Sequence, residues 1–311
     1  QLSVFESAYK QLDRELNDPA VDTMQSLQSF LDSCQSFDKS TEVNQLRSTK
    51  TVPTKLVGLL RDECSLRKPH ENNLCRILQT LRQVMCFSGA YAGASEDADE
   101  MVSACIAVLN EKEKCSPKCC KAAMEALQAM VFRAFCRDNA KFQPYEDVYL
   151  KALKDGKGLE AIASCIGWEG DKEGAASEAA CSFFQLFLST RRPDLSAETV
   201  SQAATALEPK ASWLSLSELS SAQQLFQSLL LCVSREQLRR LQQQSLVDGA
   251  YLFHLARSLG SAPTARRSQD LVASLSLECA ASLRTLGRVF PASLTRRLSV
   301  EGGPLRLGEG S

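Results

Sequence analysis

The sequence predicts an all-α protein, an α-solenoid of about six repeated three-helix units. Three observations predict it. One phrase, an apolar residue followed by glutamine, a variable residue and further apolar residues, keeps returning. It reads SLQSFL at Ser26–Leu31, ILQTL at Ile77–Leu81, ALQAMV at Ala126–Val131, FFQLFL at Phe183–Leu188 and LFQSLLL at Leu225–Leu231. A second, independent marker is an ungapped match at an offset of 93 between KALKDGKGLEAIASCIG (Lys151–Gly167) and QSLVDGAYLFHLARSLG (Gln244–Gly260). Third, the 311 residues are rich in aliphatics, Ala, Ser and Gln and only 6% aromatic, a balance that favours helices over a β-sandwich.

The glutamines Gln28, Gln79, Gln128, Gln185 and Gln227 are 51, 49, 57 and 42 residues apart, and a further step reaches Glu278 in SLECAASL. The offset of 93 carries Gln185 onto Glu278 and is therefore two repeats. In order along the chain, Gln1–Leu16 is expected as a helix that caps the array, with residues 1–17 as its segment. Residues 18–287 are the repeats and residues 288–311 a loose tail. The Lys151–Gly167 segment shows the unit. A helix ends at Asp155-Gly156, where glycine is expected as the left-handed closing residue. A second helix with apolar residues three and four apart follows and stops at Gly167. Next comes a long helix carrying AACSFFQLFL, apolar around most of its girth and so packed on several sides. SAQQLFQSLLLC (Ser221–Cys232) repeats that pattern. Leu195–Leu219 yields one clear helix and a turn around Pro209. Stacked copies bury a continuous core that no single copy could bury.

These units resemble the armadillo-repeat superfamily, in which a short helix, a glycine-bearing turn, a second helix and a long third helix recur every forty-odd residues. LVDGAYLFHLARSLG followed by LVASLSLECAASLRTLG (Leu271–Gly287) carries the resemblance best, and STKTVPTKLVGLLRDE with ENNLCRILQTLRQVMCFSG carries it again. The resemblance implies a right-handed solenoid over Asp18–Gly287, with HEAT-type helix pairs as the near competitor. It also implies a concave surface lined by the third helices. In peptide-binding members of that family these helices hold an asparagine ladder, which here would fall on Ser29, Thr80, Ala129, Leu186, Ser228 and Cys279. None is asparagine, and Trp168 and Trp213 are expected in connecting segments, so nuclear-signal binding by such a ladder is not expected. Gln79, Gln128, Gln185 and Gln227 are the groove candidates, against the plainer reading that they are polar residues at the edge of the core.

No catalytic constellation emerges. There are two histidines, His70 and His254, no GxxxxGK[ST] loop and no dinucleotide fingerprint. His254 reads as a partly buried helix residue and His70 as a solvated one at a helix start. The cluster CSPKCC (Cys115, Cys119, Cys120) lacks the fourth ligand of a structural zinc site, so no metal is expected, although an exposed pair within it would be oxidation-sensitive. No cofactor is expected. Most of the thirteen cysteines lie in apolar helical patterns, among them Cys75, Cys86, Cys105, Cys136, Cys165, Cys181, Cys232 and Cys279. They read as buried, reduced thiols, which places the chain inside the cell, in the cytoplasm. No stretch approaches a membrane span. The chain starts at Gln1 rather than Met, so a native N-terminus is expected to be missing, and an import sequence or lipid anchor ahead of Gln1 stays open.

Charge is polarised. From Lys210 onward there are twelve Lys+Arg against seven Asp+Glu, whereas the preceding 209 residues carry 24 against 30. Arg235, Arg239 and Arg240, then Arg257, Arg266 and Arg267, then Arg284 and Arg288 fall at spacings that stacking would gather into one basic strip for carboxylates or phosphates. A solvated face is the plainer reading. An acidic protein segment, or this chain's own acidic half in a head-to-tail array, fits the strip at least as well as nucleic acid, since overall charge is nearly balanced at −1 and aromatics are few. RRLSV in the tail makes Ser299 a candidate site for a basophilic kinase. The expected function is that of a non-catalytic protein-interaction scaffold or adaptor. A cofactor of an Hsp70-type or myosin-type chaperone, or a structural subunit of a large organellar or RNA-containing assembly, is the alternative.

Overall fold

In a computed structural model the described residues are 4–35, 51–87, 95–131, 143–188, 196–217 and 219–232. They are all helix and turn, with no strand among them. Two compact units divide the chain, Gln1–Phe183 and Phe184–Ser311.

The first unit opens with α1 (Val4–Glu15) and α2 (Thr23–Gln35). Asp22 starts α2 by accepting from the amides of Met24 at 2.9 Å and Gln25 at 3.3 Å. Then come α3 (Thr51–Ser65), α4 (Glu71–Phe87), α5 (Ser95–Asn110), α6 (Pro117–Val131), α7 (Gln143–Asp155) and α8 (Gly158–Ser164). Two rows arise from their packing: α3 lies against α5 and α5 against α7 and α8, while α2 lies against α4 and α4 against α6. Each helix of one row also packs on its sequence neighbour in the other, α1 on α2, α3 on α4 and α5 on α6. The short first helix of a three-helix unit would fall on residues 36–50 and 88–94 here, which lie outside the described residues. In the later segment α7, α8 and α9 (Ala175–Leu188) do follow one another as three helices.

The glutamine phrases at Gln28, Gln79 and Gln128 lie on α2, α4 and α6, as their periodicity predicts. On α4 the buried residues Leu74, Ile77, Leu78, Leu81, Val84 and Met85 recur three and four apart. Helix α6 is buried over most of its girth by small residues, Ala122, Ala123, Ala126 and Ala129 among them, which lets α4, α5 and α7 approach it closely. Ser116 caps α6, its hydroxyl accepting from the Cys119 amide at 3.3 Å, and Pro117 occupies the first helical position, where no amide is needed.

The turn between α7 and α8 corrects the expectation for Gly156. Lys157 is the left-handed residue, with φ 54°, and Gly156 is not. Gly156 is instead in a tight place, since a Cβ there would stand 3.0 Å from Ile106 Cδ1 and 3.1 Å from the Ala152 carbonyl. Gly167, where the α8 segment stops as expected, is left-handed, with φ 64°. At Gly158 a Cβ would land on the buried Leu153 side chain and 3.0 Å from Ile106 Cδ1. Gly158→Ala is therefore expected to cost about 1–3 kcal/mol through overpacking. Gly58→Ala on α3, where a Cβ meets nothing, is expected to gain roughly 0.5–1 kcal/mol. Urea midpoints of the two variants, moving in opposite directions, check both.

Two lysines close the ends of helices in this unit. Lys55 on α3 donates to the Leu16 carbonyl at 2.6 Å and to Asn17, just past the end of α1. Lys112 donates to the Ser164 carbonyl at 2.8 Å at the end of α8 and lies over the Trp168 ring. Both place a cation where helix carbonyls lack partners.

The second unit contains the end of α9, then α10 (Ala197–Leu207), a 3₁₀ turn Glu208–Lys210, α11 (Ala211–Leu216) and α12 (Ser220–Cys232). Ser196 caps α10, accepting from the Thr199 amide at 3.1 Å. The turn expected at Pro209 is this 3₁₀ turn. It leads directly into α11, so Trp213 stands on a short helix rather than in a connecting segment, whereas Trp168 lies in one. Ala203, Ala204, Leu207, Leu214, Leu225, Phe226 and Leu229 form the core. No helix among the described residues is long and apolar enough to cross a membrane.

Candidate functional site

The groove candidates Gln79 and Gln128 lie on the neighbouring helices α4 and α6, and their surroundings can be read turn by turn. Gln79 is exposed and Gln128 half-buried. The positions one residue further on, where an asparagine ladder would stand, point inward. Thr80 and Ala129 are buried, and the Thr80 hydroxyl is spent on the Arg76 carbonyl at 2.8 Å. Gln79 and Gln128 therefore mark the polar rim of helices whose next residues belong to the core, whereas Ser29, which follows Gln28, is exposed. Gln28 on α2 is half-buried and donates to Asp32 at 2.8 Å.

Three cross-helix pairs fix the register of α4 and α6. Glu71 meets Lys118 at 4.0 Å, the Sγ atoms of Cys75 and Cys119 are 3.7 Å apart, and Arg82 donates to Glu125 at 2.9 Å. Both members of each pair advance together along the chain, so the helices run parallel. The pairs are separated by 47, 44 and 43 residues, whereas Gln79 and Gln128 are 49 apart. Gln128 thus lies about one turn, roughly 6 Å, beyond the level of Gln79. The phrase descends along the stack instead of forming a level row. The exposed face is of mixed charge, with Arg82, Lys118 and Lys121 beside Glu71, Asn72 and Gln79.

Gln185 lies on the part of α9 that belongs to the second unit and is half-buried, and Gln227 lies on α12. The basic strip, Arg235, Arg239, Arg240, Arg257, Arg266, Arg267, Arg284 and Arg288, falls outside the described residues, as do His254 and Ser299.

The cysteines depart from expectation in two ways. All ten that are described are thiols, but Cys75 and Cys86 are half-buried rather than core. The CSPKCC cluster is not exposed, since Cys115, Cys119 and Cys120 are all buried because they start a helix wedged between α4, α5 and α7. Its vicinal thiols face different neighbours. Cys119 meets Cys75 of α4, and Cys120 lies near Cys165 just after α8. Burial pushes Cys34, Cys105, Cys115 and Cys181 up to about 12 and Cys64 up to about 11. Cys119 moves the other way, drawn down to about 7 by the Cys75 thiol and, against burial, by the Ser116 hydroxyl and amide. Cys75 rises correspondingly through its bond to Cys119 and its burial. The pair therefore gives up its first proton from Cys119 and keeps the second on Cys75. Among the described residues no group of three or more His, Cys, Asp or Glu is placed to hold a metal ion.

Sequence reasoning missed two features. His70 is exposed, as expected, yet its amide and its Nδ1 both bond Glu63, at 2.7 and 2.8 Å. The pairing of Cys75 with Cys119, 44 residues away, had no local signal; only the helix register reveals it. No known family model matches the chain, and no curated protein matches it.

Proposed function

We propose that the chain is a non-catalytic scaffold or adaptor, an armadillo-like right-handed α-solenoid that holds other proteins along the face of its parallel helices and at its arginine-rich end. The parallel register of α4 and α6, which pack directly on each other, supports this reading. Two parallel helices, offset by about 45 residues and joined through α5, are what a repeated helical unit produces. Such a unit presents a face whose residues are set by repeat register, here Gln79, Arg82, Lys118 and Lys121. The mixed charge of that face and the arginines beyond residue 234 suit a protein segment with carboxylates.

Affinity purification of the full chain from native lysate at physiological salt tests it, with two comparison variants. One carries Gln79→Glu and Lys121→Glu, and the other carries Arg235→Glu, Arg239→Glu and Arg240→Glu. The expected result is a stoichiometric protein partner held by the unaltered chain and reduced at least tenfold by one variant, a loss of about 1.4 kcal/mol. Equal recovery of the same proteins by all three would overturn both proposed surfaces. Accelerated nucleotide release from an Hsp70 would replace the scaffold by a chaperone cofactor, and co-purified ribosomal or other assembly components would replace it by a structural subunit.

A further inference from the structure

We propose that Cys75 and Cys119 form a dithiol site that hydroperoxides oxidise to a disulfide joining α4 to α6. The two sulfurs are already in contact at 3.7 Å, and bonding brings them to about 2.05 Å. They sit on two helices that pack along their whole length, with the Glu71–Lys118 pair one turn to the side. Among the described thiols this pair alone joins a reachable sulfur to a sulfur that ionises easily. Cys75 is half-buried on the same face as Gln79, four residues away, so a small oxidant reaches it. Cys119 is buried behind it, held by Ser116 Oγ at 3.4 Å and the Glu71 carbonyl at 3.7 Å. The second pair, Cys120 with Cys165, is buried at both sulfurs and stays reduced in the folded chain.

The chemistry starts at the reachable sulfur. Cys119 holds the negative charge of the pair and Cys75 its proton, so the reacting form is the fraction in which that proton crosses the 3.7 Å contact to Cys119 and leaves Cys75 as the thiolate. That thiolate attacks one oxygen of hydrogen peroxide and the O–O bond breaks. Cys75 becomes a sulfenic acid, and the departing hydroxide takes a proton to form water. Cys119 sulfur then attacks the Cys75 sulfur, the S–O bond breaks, and the Cys119 proton leaves with the hydroxide as a second water. Two thiols and one peroxide give one disulfide and two waters, and both electrons come from sulfur. A thiol reductant reverses the reaction by exchange. The new bond closes a 44-residue span and replaces the thiol hydrogen bonds to Ser116 and Glu71.

The test is a non-reducing tryptic map of the full chain after brief exposure to a small excess of hydrogen peroxide. The expected product joins peptide Lys68–Arg76 to peptide Cys119–Lys121 with the loss of two hydrogens, and dithiothreitol reverses it. Since Cys119 and Cys120 share a peptide, variants assign the sulfur. Cys120→Ser should keep the bridge, and Cys119→Ser should abolish it and leave Cys75 as a sulfenic acid trapped by dimedone. The bridged chain should melt roughly 5–10 °C higher than the reduced one. A bridge that survives Cys119→Ser, a Cys120–Cys165 bridge formed first, or intact Cys75 after the peroxide treatment would each overturn the proposal.

Discussion

Leu78→Ala should lower the stability of the first unit by about 2–5 kcal/mol, a large share of the roughly 5–15 kcal/mol that a domain commands. Leu78 is fully buried on α4, and α4 packs on α2, α3 and α6 at once. With neighbours on three sides the cavity has little freedom to collapse, which favours the upper part of that range. Urea unfolding followed by the fluorescence of Trp168, in a Trp213→Phe background, reports this unit alone. Leu66→Ala, at the one large hydrophobic residue exposed among those described, should stay within about 0.5 kcal/mol of the parent. If the two variants lost equal stability, α4 would not be the spine of the unit.

How much of this was legible in the sequence depended on the range of the interaction. The helices carrying Gln28, Gln79, Gln128, Gln185 and Gln227 were legible because burial of one helix face imposes a 3.6-residue period on the residues themselves. The turn at Asp155 was legible as a turn, but not the residue that carries the positive φ. Gly158 is demanded by crowding against Leu153 and Gly156 stands in a tight place against Ile106, while the left-handed position falls on Lys157. Register between stacked helices was not legible. The 49 residues from Gln79 to Gln128 give no hint of it, whereas the 43 and 44 residues that separate Arg82 from Glu125 and Cys75 from Cys119 set Gln128 about one turn beyond Gln79. Cross-helix contact depends on the lengths of α5 and its two connections, which no periodicity encodes. The thiol pair and the carboxylate of Glu63 belong to this class, since each takes its properties from residues that only folding brings near.

Glu63→Gln should cost about 1–3 kcal/mol at neutral pH, and the cost should shrink in acid. Glu63 sits near the end of α3, its side chain only 10% exposed. One carboxylate oxygen accepts from the His70 amide at 2.7 Å and meets His70 Nδ1 at 2.8 Å, and the other accepts from Asn73 at 3.2 Å. These bonds tie the end of α3 to the start of α4 and set the angle at which the two rows join. Glutamine has one oxygen and one NH₂ group, so one end of it would turn a donor toward donors. Burial by itself pushes the Glu63 carboxyl up, but the His70 amide, the His70 ring and Asn73 together hold it below its ordinary value. A carboxyl lowered in the folded state stabilises the fold fully above its unfolded pKa of about 4.3, and that contribution is lost as pH falls through the lowered folded value. The parent chain should therefore lose this advantage below about pH 4.3, while Glu63→Gln has none to lose at this position. Urea midpoints of the two chains should differ most at pH 7 and converge toward pH 3. A gap that stayed constant across that range would mean that the carboxylate charge contributes nothing and that shape alone holds the turn.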